Sequence, residues 1–479
     1  MSTPTASPDL PIAIIGAGPI GLAAAAHCAA RGLPFVVIEA GAAVGTHVRD
    51  WGHVRLFSPW RYDVDAAARR LLARTGWAEP DPDALPTGAE LAERYLAPLA
   101  DALAAHGRIE TGARVLAVTR AGMDKVRSAR REEAAFHVDV AHADGRRTRL
   151  AARAVIDATG TWGTPNPLGG SGVPALGEEV GAVGGTARIA YRIPDPLGRD
   201  RAHYEGARTL VVGAGHSAAN AVIELARLAA ETGAGAVAWA IRGARPIRAF
   251  GGGAGDELPA RGALGARLRT LVSEGRVRLE AGFLAASVRA DADGALVVAD
   301  EAGRTIGPVD RIVALTGQRP DLGFLRELRV DLDPWLECAR ALAADIDPNV
   351  HACGSVTPHG HAALAHPEPG LYVVGAKSYG RAPTFLMMTG YEQVRSVVAA
   401  LAGALEEADR VELALPKTGV CSTDLADGTD ACCAPAPEAA RGCCGGDAAH
   451  LPIAASRPSS SPTTSPAPAT AGGCCGAAA

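Results

Sequence analysis

The feature that most constrains this chain is a glycine turn that occurs twice, each time between a short apolar run and an alanine-rich stretch. The first copy is Gly16-Ala-Gly18-Pro19-Ile-Gly21, with Ile-Ala-Ile-Ile at 12–15 before it and the proline-free stretch Ile20 to Ala30 after it. Continuous apolar runs suit strands buried on both faces of a parallel sheet, and the alanine-rich stretch reads as a helix that stops near Gly32. Phe-Val-Val-Ile at 35–38 is the next strand, and Glu39 ends it 18 positions after Gly21. The three glycines have separate roles, in that Gly16 makes the tight turn, Gly18 lets a pyrophosphate approach the backbone, and Gly21 lets helix and sheet close up. The helix N-terminus offers free N–H groups to phosphate, and Glu39 is placed for ribose hydroxyls.

The second copy, Gly213-Ala-Gly215-His216-Ser217-Ala218, lies 197 positions further on, with a small alanine at the packing position. Its unit is a strand from Arg208 to Val212, a helix from His216 to Thr232 and a strand from Ala236 to Ile241. No acid stands at the end of that last strand. Arg242 and Arg245 offer forks suited to a 2′-phosphate, which favours NADPH there over NADH. The first copy, near the N-terminus of a chain that carries both, points to FAD.

With 479 residues the chain exceeds what one core fills, so two domains are expected. Further strands are expected at Ala154 to Ile156, Arg311 to Leu315 and Leu371 to Val374, and helices at Gly88 to Ala105, Asp256 towards Ser273 and Gly390 to Leu405. The balance of 47 basic and 52 acidic residues, without a block of like charge, leaves no electrostatic footprint for nucleic acid or anionic lipid. The first residues carry no basic region of a secretory signal, glycines interrupt the one long apolar run, and the body is expected in the cytoplasm.

The order of four further motifs resembles flavoproteins of the flavin-containing and Baeyer-Villiger monooxygenase group over residues 12 to about 405. Gly45-Thr46-His47-Val48-Arg49-Asp50-Trp51 resembles the segment that wraps over the flavin, Ile156-Asp157-Ala158-Thr159-Gly160 the outgoing interdomain hinge, and Thr316-Gly317-Gln318-Arg319-Pro320 the return hinge. Leu371 to Gly375 sits where such proteins bring a strand to the ribityl chain. The resemblance implies an α/β fold with two dinucleotide-binding (Rossmann-like) domains, the NADPH domain (167–316) inserted in a discontinuous FAD domain (1–166 and 317–411). Thr46, Arg49, Trp51, Thr159, Gly160, Gly317, Gly375 and Lys377 are then cofactor-binding candidates, and Ser58, Arg61 and His216 are the catalytic candidates placed near the cofactors. The chain departs from that group in three places. The fingerprint Phe-x-Gly-x-x-x-His is absent, the active-site asparagine has only Leu56-Phe57-Ser58-Pro59-Trp60 in its neighbourhood, and the common Gly-Asp of the ribityl strand reads Gly375-Ala-Lys377-Ser378.

Seven of the ten cysteines fall in the last 59 residues: Cys421 and the adjacent pairs Cys432-Cys433, Cys443-Cys444 and Cys474-Cys475. Adjacent cysteines form a strained ring when bridged, so they suit soft thiophilic ions instead. The segment resembles the Cys-Cys ends of mercury- and arsenic-handling proteins, and the body is similar to flavoproteins assigned to arsenic resistance. The composition of residues 412–479 is that of a disordered tail. His351, His359, His361 and His366, with Cys353 among them, read as a loop ahead of the strand at Leu371, with a metal site as the alternative. Three functions stay open: an FAD- and NADPH-dependent monooxygenase using O2 on a small soft nucleophile (sulfur, nitrogen or an arsenic species), an NADPH-dependent metal, metalloid or thiol reductase, and a thiol-rich metal-binding protein on an idle flavin scaffold.

Overall fold

The computed structural model describes residues 9–179, 188–251, 253–256, 258–350, 356 and 359–413. The expected disorder of the tail, its seven cysteines, His351 and Cys353 lie outside the described residues.

The first glycine turn joins β1 (Ile12–Ile15) to α1 (Pro19–Ala30), and β2 (Phe35–Ile38) follows. Every residue of both strands is buried, which is why their apolar runs are continuous rather than alternating. The chain then makes α2 (Thr46–Asp50), α3 (Trp60–Asp63) and α4 (Ala66–Leu72). The helix expected from Gly88 consists of α5 (Gly88–Leu91), a π turn at Ala92–Leu96 and α6 (Ala97–Leu103). Pro98 has no N–H for the Arg94 carbonyl, and the Trp77 indole N–H donates to that carbonyl instead at 2.7 Å. The irregular turn therefore leaves no acceptor stranded.

After β3 (Arg108–Glu110), the strands β4 (Ala113–Arg120), β5 (Phe136–His142) and β6 (Arg147–Ala152) form an antiparallel sheet, and β7 (Ala154–Asp157) returns beside β1 with Asp157 opposite Ile15. The next stretch holds β8 (Ile189–Ala190), α7 (Arg201–Tyr204), β9 (Arg208–Val212), α8 (His216–Thr232), β10 (Ala236–Ala240), α9 (Ile247–Phe250), α10 (Pro259–Ser273) and β11 (Arg278–Glu280). A second antiparallel sheet of β12 (Ala285–Ala290), β13 (Leu296–Asp300) and β14 (Thr305–Val309) precedes β15 (Arg311–Ala314). The chain closes through α11 (Ala343–Ile346), β16 (Leu371–Val373), α12 (Met387–Leu401) and α13 (Leu405–Asp409). Among the described residues no helix is long and apolar enough to cross a membrane.

Two five-stranded parallel sheets result, ordered β16-β7-β1-β2-β3 and β11-β10-β9-β15-β8. This is the expected α/β class with two Rossmann-like units. The chain passes between them through two adjacent segments. Asn166 N–H donates to the Gly317 carbonyl at 2.9 Å and Arg319 N–H to the Thr164 carbonyl at 2.9 Å. The Thr161 hydroxyl donates to Gln318 Oε1 at 2.8 Å. The stretch just past the Ile156–Gly160 motif, residues 161–166, thus pairs with the Thr316–Pro320 motif as a two-stranded neck.

Helix ends differ from expectation for local reasons. Helix α10 begins at Pro259 because proline suits the first helical position, and Asp256 stands before it in a bidentate ion pair with Arg261. Helix α12 begins three residues earlier than expected and stops at Leu401, before Gly403 turns into the left-handed region at φ 81°.

The antiparallel sheet is fastened to the edge of the first parallel sheet by Glu368, which is fully buried. Its carboxylate accepts from Arg120 Nε at 2.7 Å, from Arg131 Nη2 at 2.8 Å and from the Arg329 backbone N–H at 3.0 Å. Glu368→Gln leaves two buried guanidiniums without a counter-charge, and urea unfolding should show a loss of about 3–5 kcal/mol.

Candidate functional site

The first turn is built around what a side chain would strike. A Cβ on Gly16, at φ 100°, would lie 2.8 Å from the Ala158 carbonyl oxygen, and one on Gly21 would lie 1.9 Å from the Gly16 carbonyl oxygen. Gly18 differs: its backbone is ordinary extended chain and no atom lies within 4 Å of the position a Cβ would take. The middle glycine therefore faces open space at the start of α1, where Pro19 occupies the first turn and no side chain caps the free N–H groups. Glu39 is buried behind the turn, accepting from the Ala17 N–H at 2.8 Å and the Gly41 N–H at 2.7 Å. Those bonds fix the carboxylate and leave lone pairs for ribose hydroxyls. The flanking segment is held by Gly45 N–H, which donates to the Ala17 carbonyl at 2.9 Å. In that segment the Thr46 hydroxyl donates to the Ala43 carbonyl at 2.6 Å, Arg49 reaches the Val44 carbonyl at 3.4 Å, and Trp51 packs against the cores of both units.

The second turn repeats this logic. A Cβ on Gly213, at φ 137°, would lie 2.1 Å from the Leu315 carbonyl oxygen, whereas Gly215 faces open space in extended backbone. Ala218 is fully buried and supplies the small packing residue. His216 and Ser217 open α8, and Arg242 and Arg245 stand exposed just past β10. The N–H groups that open α8 and two exposed arginines thus lie at the same end of the second sheet, where β9 and β10 finish.

Residues 50–63 connect the two turns. Asp50 of α2 accepts from the Trp162 indole at 2.9 Å and lies 3.5 Å from Arg192. The Phe57 ring meets the His216 ring at 4.9 Å between centroids. Arg61 does not point inward as a catalytic group would: it is exposed, paired with Asp83 and stacked 4.9 Å over the Tyr62 ring. The other polar end of α3 is Asp63, which is fully buried. The Ser58 hydroxyl donates to Asp63 Oδ1 at 2.7 Å, Oδ2 has no partner among the described residues, and the Asp63 carbonyl accepts from the Tyr391 hydroxyl at 2.7 Å. Burial pushes the Asp63 carboxyl up to about 7, the Ser58 hydrogen bond opposing it in part. Sequence reasoning named Ser58 and not Asp63, since nothing in the run Tyr62-Asp63-Val64-Asp65 says that both aspartates are buried and that it is Asp65 that meets His27.

On the far side of the first turn, Asp157 ends β7. Its Oδ1 accepts from the Thr159 N–H at 3.1 Å and hydroxyl at 2.8 Å, and its Oδ2 from Lys377 Nζ at 2.6 Å. Lys377 also donates to the Thr159 hydroxyl at 2.9 Å and is 1% exposed. Lys377, a cofactor-binding candidate from the sequence, neutralises the buried Asp157 carboxylate and ties the end of β7 to the segment after β16. Gly375, Gly160 and Gly317 take left-handed conformations at φ 73°, 67° and 97°, and Gly375 N–H donates to the buried Gln393 at 2.7 Å.

The described histidines of the loop go to different neighbours. His359 pairs with Gln393 at 2.8 Å, His361 with Asp409 at 2.9 Å, and His366 is buried. Among the described residues no group of three metal-ligating side chains converges. Cys28 and Cys338 are buried singly, and burial pushes both thiols up to about 12.

Residues 13–339 match the family described as pyridine nucleotide-disulphide oxidoreductase. No curated protein matches the sequence. Solved structures share the fold: bacillithiol disulfide reductase Bdr from Bacillus cereus at 19% identity and TM-score 0.60, covering 82% of this chain and 99% of its own. DfoA, the FAD-bound cadaverine monooxygenase of desferrioxamine biosynthesis from Erwinia amylovora, matches at 15% identity and TM-score 0.56, covering 84% and 96%. The ornithine hydroxylase PvdA from Pseudomonas aeruginosa matches at 14% and 0.52, covering 83% and 99%.

The open space at the two middle glycines separates folding from binding. Gly18→Ala and Gly215→Ala should each unfold within about 0.5 kcal/mol of the parent, Gly18→Ala losing dinucleotide at the first turn and Gly215→Ala at the second, as equilibrium binding of each nucleotide would show. Asp63 holds its proton more tightly folded than unfolded, so its contribution to stability is present at acid pH and is lost as pH rises from about 4 through about 7. Asp63→Asn removes that slope, and the variant's melting temperature relative to the parent should climb over this interval, by the equivalent of at most about 4 kcal/mol.

Proposed function

Because the chain belongs to the pyridine nucleotide-disulphide oxidoreductase family and is an FAD-dependent oxidoreductase, we propose that it takes a hydride from NADPH and oxygenates a small soft nucleophile with O2. The observation that carries this reading is the pair of glycine turns, each with an open middle position and an uncapped helix behind it, the second with the Phe57 ring against His216. FAD at the first turn would supply hydride acceptance and oxygen activation. The first N–H groups of α1 would hold its pyrophosphate, Glu39 its ribose, and residues Thr46 to Trp51 the approach to its ring system. NADPH at the second turn would be held by the start of α8, with Arg242 and Arg245 on the 2′-phosphate. Phe57 and His216, in ring contact at the start of α8, would then shield the nicotinamide side of the second turn from water.

The reductase reading needs a thiol pair or a metal beside the flavin. Cys28 and Cys338 are separate, buried and held as neutral thiols, which weighs against a relay through either. The monooxygenase reading is preferred to a relay through Cys28 or Cys338, and the oxygen dependence of turnover separates it from a reductase drawing on Cys353 or the tail cysteines, which lie outside the described residues. The proposal that the nucleophile is an arsenic species, and that the tail captures a thiophilic metal or metalloid, rests on the paired cysteines of the sequence alone.

Two measurements test this function. Arg242→Ala should raise the KM for NADPH about tenfold or more while leaving that for NADH within about twofold, the signature of a lost charged hydrogen bond to phosphate; equal changes would remove the NADPH assignment. NADPH consumption by the FAD-loaded protein should require O2 and rise with a soft nucleophile such as arsenite, and anaerobic turnover would favour the reductase.

A further inference from the structure

Asp63 is a buried carboxyl that the proposed reaction does not use and whose Oδ2 has no partner among the described residues. Its carboxyl is closed off from solvent, while Ser58, to which it is bonded, is half-buried, so the Ser58 hydroxyl is the one side-chain partner that links the acid to the surface. Ser58 adjoins Phe57, whose ring meets His216 at the second glycine turn. On the other side the Asp63 carbonyl is held by Tyr391, in the first turns of α12, and Gly390 of that turn lies against Ile20 of α1 beside the first glycine turn. The dyad is therefore linked through Phe57 to the start of α8 and through Tyr391 to the helix packed on α1.

We propose that Asp63 is a positioning residue that decides which way the Ser58 hydrogen points: neutral Asp63 donates its own proton to Ser58 Oγ and frees the hydroxyl hydrogen for another acceptor, whereas ionised Asp63 accepts that hydrogen and leaves Ser58 only lone pairs to offer. One oxygen–oxygen contact carries a single hydrogen, so the two states are mutually exclusive, and their interconversion is the gain or loss of one solvent proton. The reading rests on the proposed function only for what that other acceptor is. Charges around Asp63 do not override the dyad. From α12 it faces Tyr391, and beyond that Tyr95, whose hydroxyl accepts from the Asp65 N–H at 3.1 Å. From α4, Asp65 is paired with His27 of α1 at 3.1 Å, and on its own helix Arg61 is turned out to Asp83. Among the described residues no cation pairs with the carboxylate, and burial, opposed by the Ser58 hydrogen bond, pushes it up to about 7, where a change of state is within reach.

The test uses the full chain as purified with its flavin. Infrared difference spectra of the parent against Asp63→Asn should contain a neutral-carboxyl C=O band that vanishes as pH is raised through about 7. Ser58→Ala should move that midpoint upward by about one pH unit, the worth of a hydrogen bond to a charged group. The visible spectrum of the bound flavin should shift with the same midpoint in the parent, lose the shift in Asp63→Asn and Ser58→Ala, and regain it in Ser58→Thr. An Asp63 already ionised at acid pH, a midpoint unmoved by Ser58→Ala, or a flavin spectrum blind to both variants would overturn the proposal. A protein that retains no flavin would instead overturn the proposed function, and the infrared midpoints would still decide whether the dyad exists.

Discussion

Two carbonyl oxygens set the geometry on which everything else rests. The Gly16 oxygen lies where a Cβ of Gly21 would be, and the Leu315 oxygen where a Cβ of Gly213 would be. At the first turn α1 sits this close because position 21 is glycine; at the second the small Ala218 takes that place and glycine is required at 213, against the Leu315 carbonyl. Once α1 and α8 are seated so closely, their N-terminal N–H groups necessarily converge on the ends of the sheets. The binding apparatus is a by-product of the packing.

The same economy governs the charges. Asp157 sits at the inner end of β7, fully buried, and would be costly there without a partner. Lys377 arrives from 220 residues away, and with Thr159 it satisfies both oxygens. The Glu368 cluster does the same at the outer edge, tying Arg120 and Arg131 of the antiparallel layer to the segment before β16. In both places a charge that is unfavourable alone specifies how two distant pieces of chain meet.

What was legible in the sequence was what is decided locally. The limits of β1, β2, β9 and α8 agree with the residues read from apolar runs and glycine positions, because strand burial and helix initiation are written within a few residues. The packing roles of Gly16 and Gly21 and the open position at Gly18 also hold, since each follows from the presence or absence of a single methyl. The roles of Lys377, Arg61 and Asp63 were not legible. A lysine after a strand-ending glycine looks the same whether it meets phosphate or a carboxylate, and α3 is too short for its sequence to say which face is covered. The Asp63 environment is made by Ser58, Tyr391 and the core around Trp60, which no spacing rule connects.

The neck between the two parallel sheets also orders assembly. All strands of the second sheet lie between residues 189 and 314, so it is complete once that stretch exists. The first sheet takes its edge strand from Leu371–Val373 and its cover over α1 from α12, which ends at Leu401. During synthesis the unit begun first is therefore the last to be closed, and it waits, with one sheet edge unpaired, for a segment made some 200 residues after its fourth strand, β7.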